Sequence, residues 1–194
     1  MIIWINGAFG SGKTQTAHEL LRRSRNAILY DPDNIGYWLR ANEPKALQKP
    51  NFQDEPLWRR FNFEMLLSLS RRFKGVVIVP MTLVSPAYYD EIIGRLRRRG
   101  VTVRHFVIDL SEKSLRRRRR MRFEGRNAWA AAQSRACLRA FRSGAFENRI
   151  PADSLTIAET AEKIAALSGL RLAPRSSWLR QRWNILAAQY RVMR

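Results

Sequence analysis

The stretch Ile2-Ile3-Trp4-Ile5-Asn6-Gly7-Ala8-Phe9-Gly10-Ser11-Gly12-Lys13-Thr14 decides the architecture. It opens with a run of apolar, mostly β-branched residues closed by Gly7, the pattern of a strand buried on both faces of a parallel sheet. Gly7 to Thr14 then fits the phosphate-binding pattern G-x-x-x-x-G-K-[ST]. From Lys13 to Arg23 neither Pro nor Gly interrupts, and Ala17, Leu20 and Leu21 share one face, so a helix follows directly. Strand, glycine loop and helix come in the order such a loop requires. The glycines let successive N–H groups turn inward at a helix N-terminus, which favours an anion there. Gly7, Gly10, Ser11, Gly12, Lys13 and Thr14 form the expected nucleotide cradle, with the Lys13 ammonium directed to the β- and γ-phosphates and the Thr14 hydroxyl a ligand of Mg²⁺.

Downstream the chain repeats a strand and helix rhythm. Ala27-Ile28-Leu29-Tyr30 reads as a second strand ending at Asp31-Pro32-Asp33-Asn34. Ligands of parallel sheets bind beyond the carboxyl ends of the strands, so Asp31 and Asp33 emerge on the side of the phosphate loop. One carboxylate there can hold Mg²⁺ and the other can accept the proton of an attacking hydroxyl. Asp31 is the expected metal partner of Thr14. Asp33 has two readings, base or N-cap of a helix through Ile35 to Arg40. Residues 41–55 read as a loop. Asp54-Glu55-Pro56 opens a helix to about Phe73, with Trp58, Phe61, Met65, Leu66 and Leu69 at helical spacing as a core stripe; Trp58 and Phe52 can also line an aromatic acceptor pocket.

Val76-Val77-Ile78-Val79 is the third buried strand. Where many nucleotide-binding folds place a carboxylate after it, this chain has Met81 and Thr82, which moves the metal burden to Asp31. A helix from Pro86 to Arg99, with Ile92, Ile93 and Leu96 inward, is closed by Gly100, and residues 101–110 contain a fourth strand in which His105 reads as a core group. Arg116 to Arg120 form an unbroken run on a helix. Helical spacing brings Arg118 and Arg122 together, placed to close over a transferring phosphoryl group, against the alternatives of a solvated face and a nucleic-acid patch. With the helix from Asn127 to Ser143 they form a lid over about residues 111–145. Ile150 marks a short fifth strand, and Thr156 caps a helix that Gly169 ends.

The 194 residues are 45% hydrophobic, enough for one α/β domain, here 1–170, followed by a basic amphipathic extension, 171–194, with Leu179, Trp183, Leu186 and Tyr190 on one side. That extension suits an anionic membrane surface or docking on a protein face. The net charge of +20 calls for an acidic partner without choosing among nucleic acid, anionic lipid and polyphosphate. Cys137 is the single cysteine, so no intrachain disulfide or multi-cysteine metal site exists. No stretch approaches a membrane span and no leader precedes the first strand, so a cytoplasmic location is expected, peripheral at the membrane if the extension binds lipid.

Taken together, residues 3–14, Tyr30-Asp31-Pro32-Asp33-Asn34-Ile35-Gly36 and Val79-Pro80-Met81-Thr82 resemble the tunicamycin-resistance ATP-binding protein family, over most of residues 1–170. More broadly the chain is similar to the small P-loop kinases for gluconate, shikimate and chloramphenicol. The resemblance implies a three-layer α/β fold with a five-stranded parallel sheet of order 2-3-1-4-5 and a helical lid. It implies an ATP- and Mg²⁺-dependent phosphotransferase in which Asp31 and Asp33 flank the acceptor hydroxyl of a nucleoside-like antibiotic, and a lid helix of R-x-x-x-R type matched by Arg118 and Arg122. The rival expectation is an ATP-binding protein that sequesters the drug, or docks on anionic membrane or nucleic acid, without transfer.

Overall fold

The computed structural model describes residues 1–120, 128–142 and 146–175. At its centre lies β1 (Ile2–Gly7), flanked by β3 (Val76–Pro80) and β4 (Val103–Asp109), with β2 (Ala27–Leu29) and β5 (Arg149–Pro151) at the edges. The sheet has five strands in the order β2-β3-β1-β4-β5, all parallel, as the sequence resemblance implies.

The central place of β1 follows from its composition. Successive side chains of a strand point to opposite faces, so Ile3 and Ile5 enter one core and Ile2 and Trp4 the other. All four are fully buried, and each burial contributes about 1.5–3 kcal/mol over exposure. The first core is closed by α1 (Lys13–Arg23), α7 (Ala128–Arg142) and α8 (Ile157–Ser168). The second is closed by α3 (Pro56–Arg72) and by a helical run made of α4 (Pro86–Tyr89), a π turn (Asp90–Gly94) and α5 (Arg95–Arg98). Two further helices, α2 (Asp33–Asn42) and α6 (Glu112–Arg120), begin at the carboxyl ends of β2 and β4. Thr156 caps α8 in a reciprocal box with Glu159, and Gly169 ends it at φ 69°.

One expected stripe is rotated. On α3 the buried residues are Trp58, Asn62, Phe63, Leu66 and Leu67, whereas Phe61 and Met65 face solvent. The helix carries apolar side chains around most of its circumference, so periodicity alone did not choose its inner face. A polar pairing chose it: Asn62 is buried because it donates to Trp58 O at 2.9 Å and accepts from the Tyr30 hydroxyl at 2.7 Å.

Residues after α8 remain fastened to the domain as far as 175. Ala173 donates to Arg23 O at 2.9 Å and accepts from Arg23 Nε at 2.7 Å. Arg122 and residues 176–194, the greater part of the expected amphipathic extension, lie outside the described residues. Among those described, no helix is long and apolar enough to cross a membrane. Cys137 is buried in the first core, and burial pushes its thiol up.

Candidate functional site

The turn from β1 into α1 is held in the shape that cradles an anion. Gly10 and Gly12 sit at φ 81° and 95°, where a side chain is strained. A Cβ on Gly12 would also fall 2.7 Å from Cδ1 of Ile157. Gly12 opens α1 without a side-chain cap, and the first turn holds no acidic residue, which leaves the amide donors there to an incoming anion. Lys13 is half-buried with its ammonium 5.3 Å from the centre of the Phe9 ring, and Thr14 is exposed at the mouth. The Ser134 hydroxyl on α7 donates to Phe9 O at 3.3 Å.

Opposite stands the Asp31-Pro32-Asp33 turn. Asp31 Oδ1 accepts the N–H of Asp33 at 3.0 Å, and the buried indole of Trp58 donates to Pro32 O at 3.0 Å. These bonds settle two open readings. Asp33 is not the cap of α2: it is the first helical residue after Pro32, and Asp31 takes its amide, so the carboxylate of Asp33 accepts no hydrogen bond among the described residues. Trp58 does not line a pocket, because it is fully buried as the support beneath the turn.

The electrostatics join the halves. Burial and then the neighbouring Asp31 push Asp33 up to about 6, with Lys13 opposing the shift. Burial raises Asp31 as well, against the pull of the Asp33 amide, Lys13 and His18. Two carboxylates thus share the field of one lysine, and one of them titrates close to neutrality. Beside them Tyr37 is exposed, and its ring meets Phe52 edge-on at 6.2 Å. Phe52 packs on Trp58 at 5.6 Å and against Gly36, where a Cβ would fall 2.6 Å from the ring.

Arg118 departs from expectation. Its guanidinium donates to Ser11 O at 2.7 Å, Ala152 O at 2.8 Å and Leu155 O at 2.9 Å. It braces the phosphate loop against the turn before α8, because a planar fork satisfies converging carbonyls better than it reaches past them. Beside this brace lies a groove of about 490 Å³ lined by Gly10, Gln15, Arg117, Arg118, Leu155 and Ile157 among others.

Sequence reading missed Asn6. This buried side chain accepts from Gly7 N at 2.9 Å and Leu83 N at 2.9 Å, and donates to Leu83 O at 2.7 Å. Its amide also lies 3.2 Å from Nε2 of His105, which is buried as expected. Thr82, which stands where many such folds place a carboxylate, donates to Gly7 O at 2.9 Å. An Asn near the end of a wholly buried central strand was the available signal, since a buried amide demands partners.

A protein-family profile described as "AAA domain" matches residues 2–143. The tunicamycin resistance protein of Deinococcus radiodurans superposes with a TM-score of 0.78 at 32% identity, over 90% of this chain and 98% of that one. The chain belongs to the tunicamycin-resistance family of P-loop proteins. Small-molecule kinases share its fold. A gluconokinase from Sinorhizobium meliloti 1021 superposes with a TM-score of 0.59 at 14% identity over 84% of this chain and 89% of its own. A shikimate kinase from Bacteroides thetaiotaomicron gives 0.57 at 18% over 88% and 99%. No curated protein sequence matches. The chain therefore has a P-loop nucleotide-binding fold shared with small-molecule kinases.

Proposed function

We propose that the protein is an ATP- and Mg²⁺-dependent phosphotransferase acting on a hydroxyl of a nucleoside-like antibiotic, and that this transfer confers tunicamycin resistance. The observation that carries the reading is the Asp33 carboxylate, uncommitted among the described residues, raised to about 6 and facing the field of Lys13. A base near neutrality is matched to taking a proton from an alcohol.

The residues fit the nucleotide and the metal. Loop amides and Lys13 would hold the phosphates, and the groove beside Arg118 would take the base. Thr14 and Asp31 would hold Mg²⁺, which supplies charge neutralisation on the phosphates when bound. No three His, Cys, Asp or Glu side chains converge among the described residues, in keeping with a metal that takes few protein ligands and completes its shell with phosphate and water. In the transfer the acceptor oxygen bonds to the γ-phosphorus, the bond from that phosphorus to the bridging oxygen breaks, and the hydroxyl proton passes to Asp33. Tyr37 and Phe52 would form one wall for a planar acceptor ring. Arg122 belongs to this proposal only through the R-x-x-x-R resemblance.

The test is incubation of the full chain with Mg-ATP and tunicamycin, read by mass spectrometry. A product heavier by one phosphoryl group is expected. Lys13→Met should abolish it, and Asp33→Asn should lower it roughly 100-fold or more, within the range of lost acid-base catalysis. Unchanged drug retained on the ATP-loaded protein would replace transfer by sequestration.

A further inference from the structure

β1 and β3 pair through the register Ile5 with Pro80, and Met81 N–H reaches Ile5 O at 3.1 Å one step beyond. Past that point side chains continue the pairing. Asn6 exchanges two bonds with the backbone of Leu83, and the Thr82 hydroxyl closes on Gly7 O. The carbonyl of Thr82 then accepts Nε2 of Gln53 at 2.8 Å. Gln53 lies in a 3-10 turn, Phe52–Asp54, whose other bonds lead away from the loop. Arg59 donates to Gln53 O at 2.6 Å and to Glu91 at 2.6 Å, and the Tyr88 hydroxyl donates to Asp54 at 2.9 Å. The ring of Phe52 presses on Gly36, one turn into the helix that starts at Asp33.

We propose that Thr82 and Gln53 form a strut that transmits the position of the phosphate loop to the aromatic turn and to the first turn of α2. They are positioning residues for the acceptor that stands before Asp33. The inference deepens the phosphotransferase reading and rests on it for the acceptor, whereas the strut itself is a property of the protein alone.

The physical need for it lies in the sheet. β1, β3 and β2 join the two half-sites from behind, but across the open side of the cleft the described backbone makes no pairing between them. Misplacement by about 1 Å between reacting groups is enough to cost on the order of 100-fold in rate. Two bonds in series, Thr82 to Gly7 and Gln53 to Thr82, remove that freedom. Asn6 also ties this segment to β1 through Leu83, so cutting the Gln53 link releases the turn, whereas cutting the Thr82 hydroxyl loosens it.

Hydrogen exchange on the full chain, with and without Mg-ATP, tests this. In the wild type Mg-ATP should slow exchange at the loop and also over residues 33–38 and 51–55. Gln53→Ala should keep the slowing at the loop and lose it at 33–38. Exchange at 33–38 without nucleotide should rise roughly five-fold, the equivalent of one ordinary hydrogen bond. Thr82→Val should shift exchange at 33–38 in the same direction by less, since Asn6 still holds Leu83, and Thr82→Ser should restore the wild-type pattern. The double variant should again show about five-fold rather than about 25-fold, as coupled neighbours require. Nucleotide-dependent protection at 33–38 that survives Gln53→Ala, or losses that multiply in the double variant, would overturn the strut. A wild type that shows the propagated protection but phosphorylates nothing supports the strut and removes the kinase reading; transfer without propagation does the reverse.

Discussion

Acid should weaken the protein through one buried imidazole at the entrance to the phosphate loop. Asn6 Oδ1 accepts from two backbone donors, so its amide nitrogen is the donor toward His105, and Nε2 of His105 must accept as a neutral ring. Protonation would set N–H against N–H. Burial, with Arg97 second, pushes His105 down from 6.5 to about 3. The unfolded imidazole takes its proton near 6.5, so below that pH the unfolded state binds the extra proton and the native state does not. Stability is therefore complete above about 6.5 and falls on acidification, by up to about 1.4 kcal/mol per pH unit. The loss reaches about 2.7 kcal/mol at pH near 4.5 and about 4 kcal/mol near 3. Asp33 acts with the opposite sign: raised to about 6, it is protonated in the native state first and gains stability as the pH falls through that value. The quantity to measure is thus the difference between wild type and His105→Gln in urea unfolding from about pH 7.5 to about 4.5. The wild type should lose stability more steeply with acid. Parallel pH curves for the two proteins, or an imidazole seen by NMR to titrate near 6.5 in the native state, would refute the reasoning.

Arg118→Met keeps the aliphatic stem and removes three bonds to carbonyls; a loss of about 2–3 kcal/mol in chemical unfolding is expected, given about 1.5–3 kcal/mol for a bond to a charged group and water's partial replacement. Its effect on transfer should appear in the KM for ATP, measured by steady-state kinetics, more than in kcat, and an unchanged KM with a large fall in kcat would place Arg118 on the phosphoryl group instead. Gly36→Ala brings a methyl to 2.6 Å from the Phe52 ring, so overpacking of about 1–3 kcal/mol outweighs the better helix propensity of Ala, and thermal unfolding should shift down. Acceptor affinity should fall with it, measured by calorimetry with the drug, while ATP affinity stays.

Much of this site was legible because it is local in the chain. The phosphate loop announces itself in consecutive residues, since its anion cradle is backbone geometry that only a few residue types permit. The carboxylate pair was legible by position, at the end of a short apolar strand. What could not be read were bonds between distant segments. Asn6 to Leu83 spans 77 residues and Arg118 to Ser11 spans 107, and no periodicity encodes such partners. The choice between base and cap for Asp33 was likewise decided in the folded turn, where Pro32 precedes the helix and Asp31 takes the Asp33 amide.

The inner face of α3 shows the division most plainly. Its residues specify a helix by themselves, with Pro56 at the start and no breaker before Arg72, because those preferences act within a turn or two. Which side turned inward depended on Asn62 finding Tyr30 and on Trp58 finding Pro32, contacts that exist only once β2 lies beside β3. By itself the chain determined a parallel sheet with a phosphate loop at its centre and two carboxylates on the same side. Tertiary structure alone made Asp33 the uncommitted member of that pair and turned Arg118 into a brace, since desolvation and long-range hydrogen bonds arise only where separate segments meet.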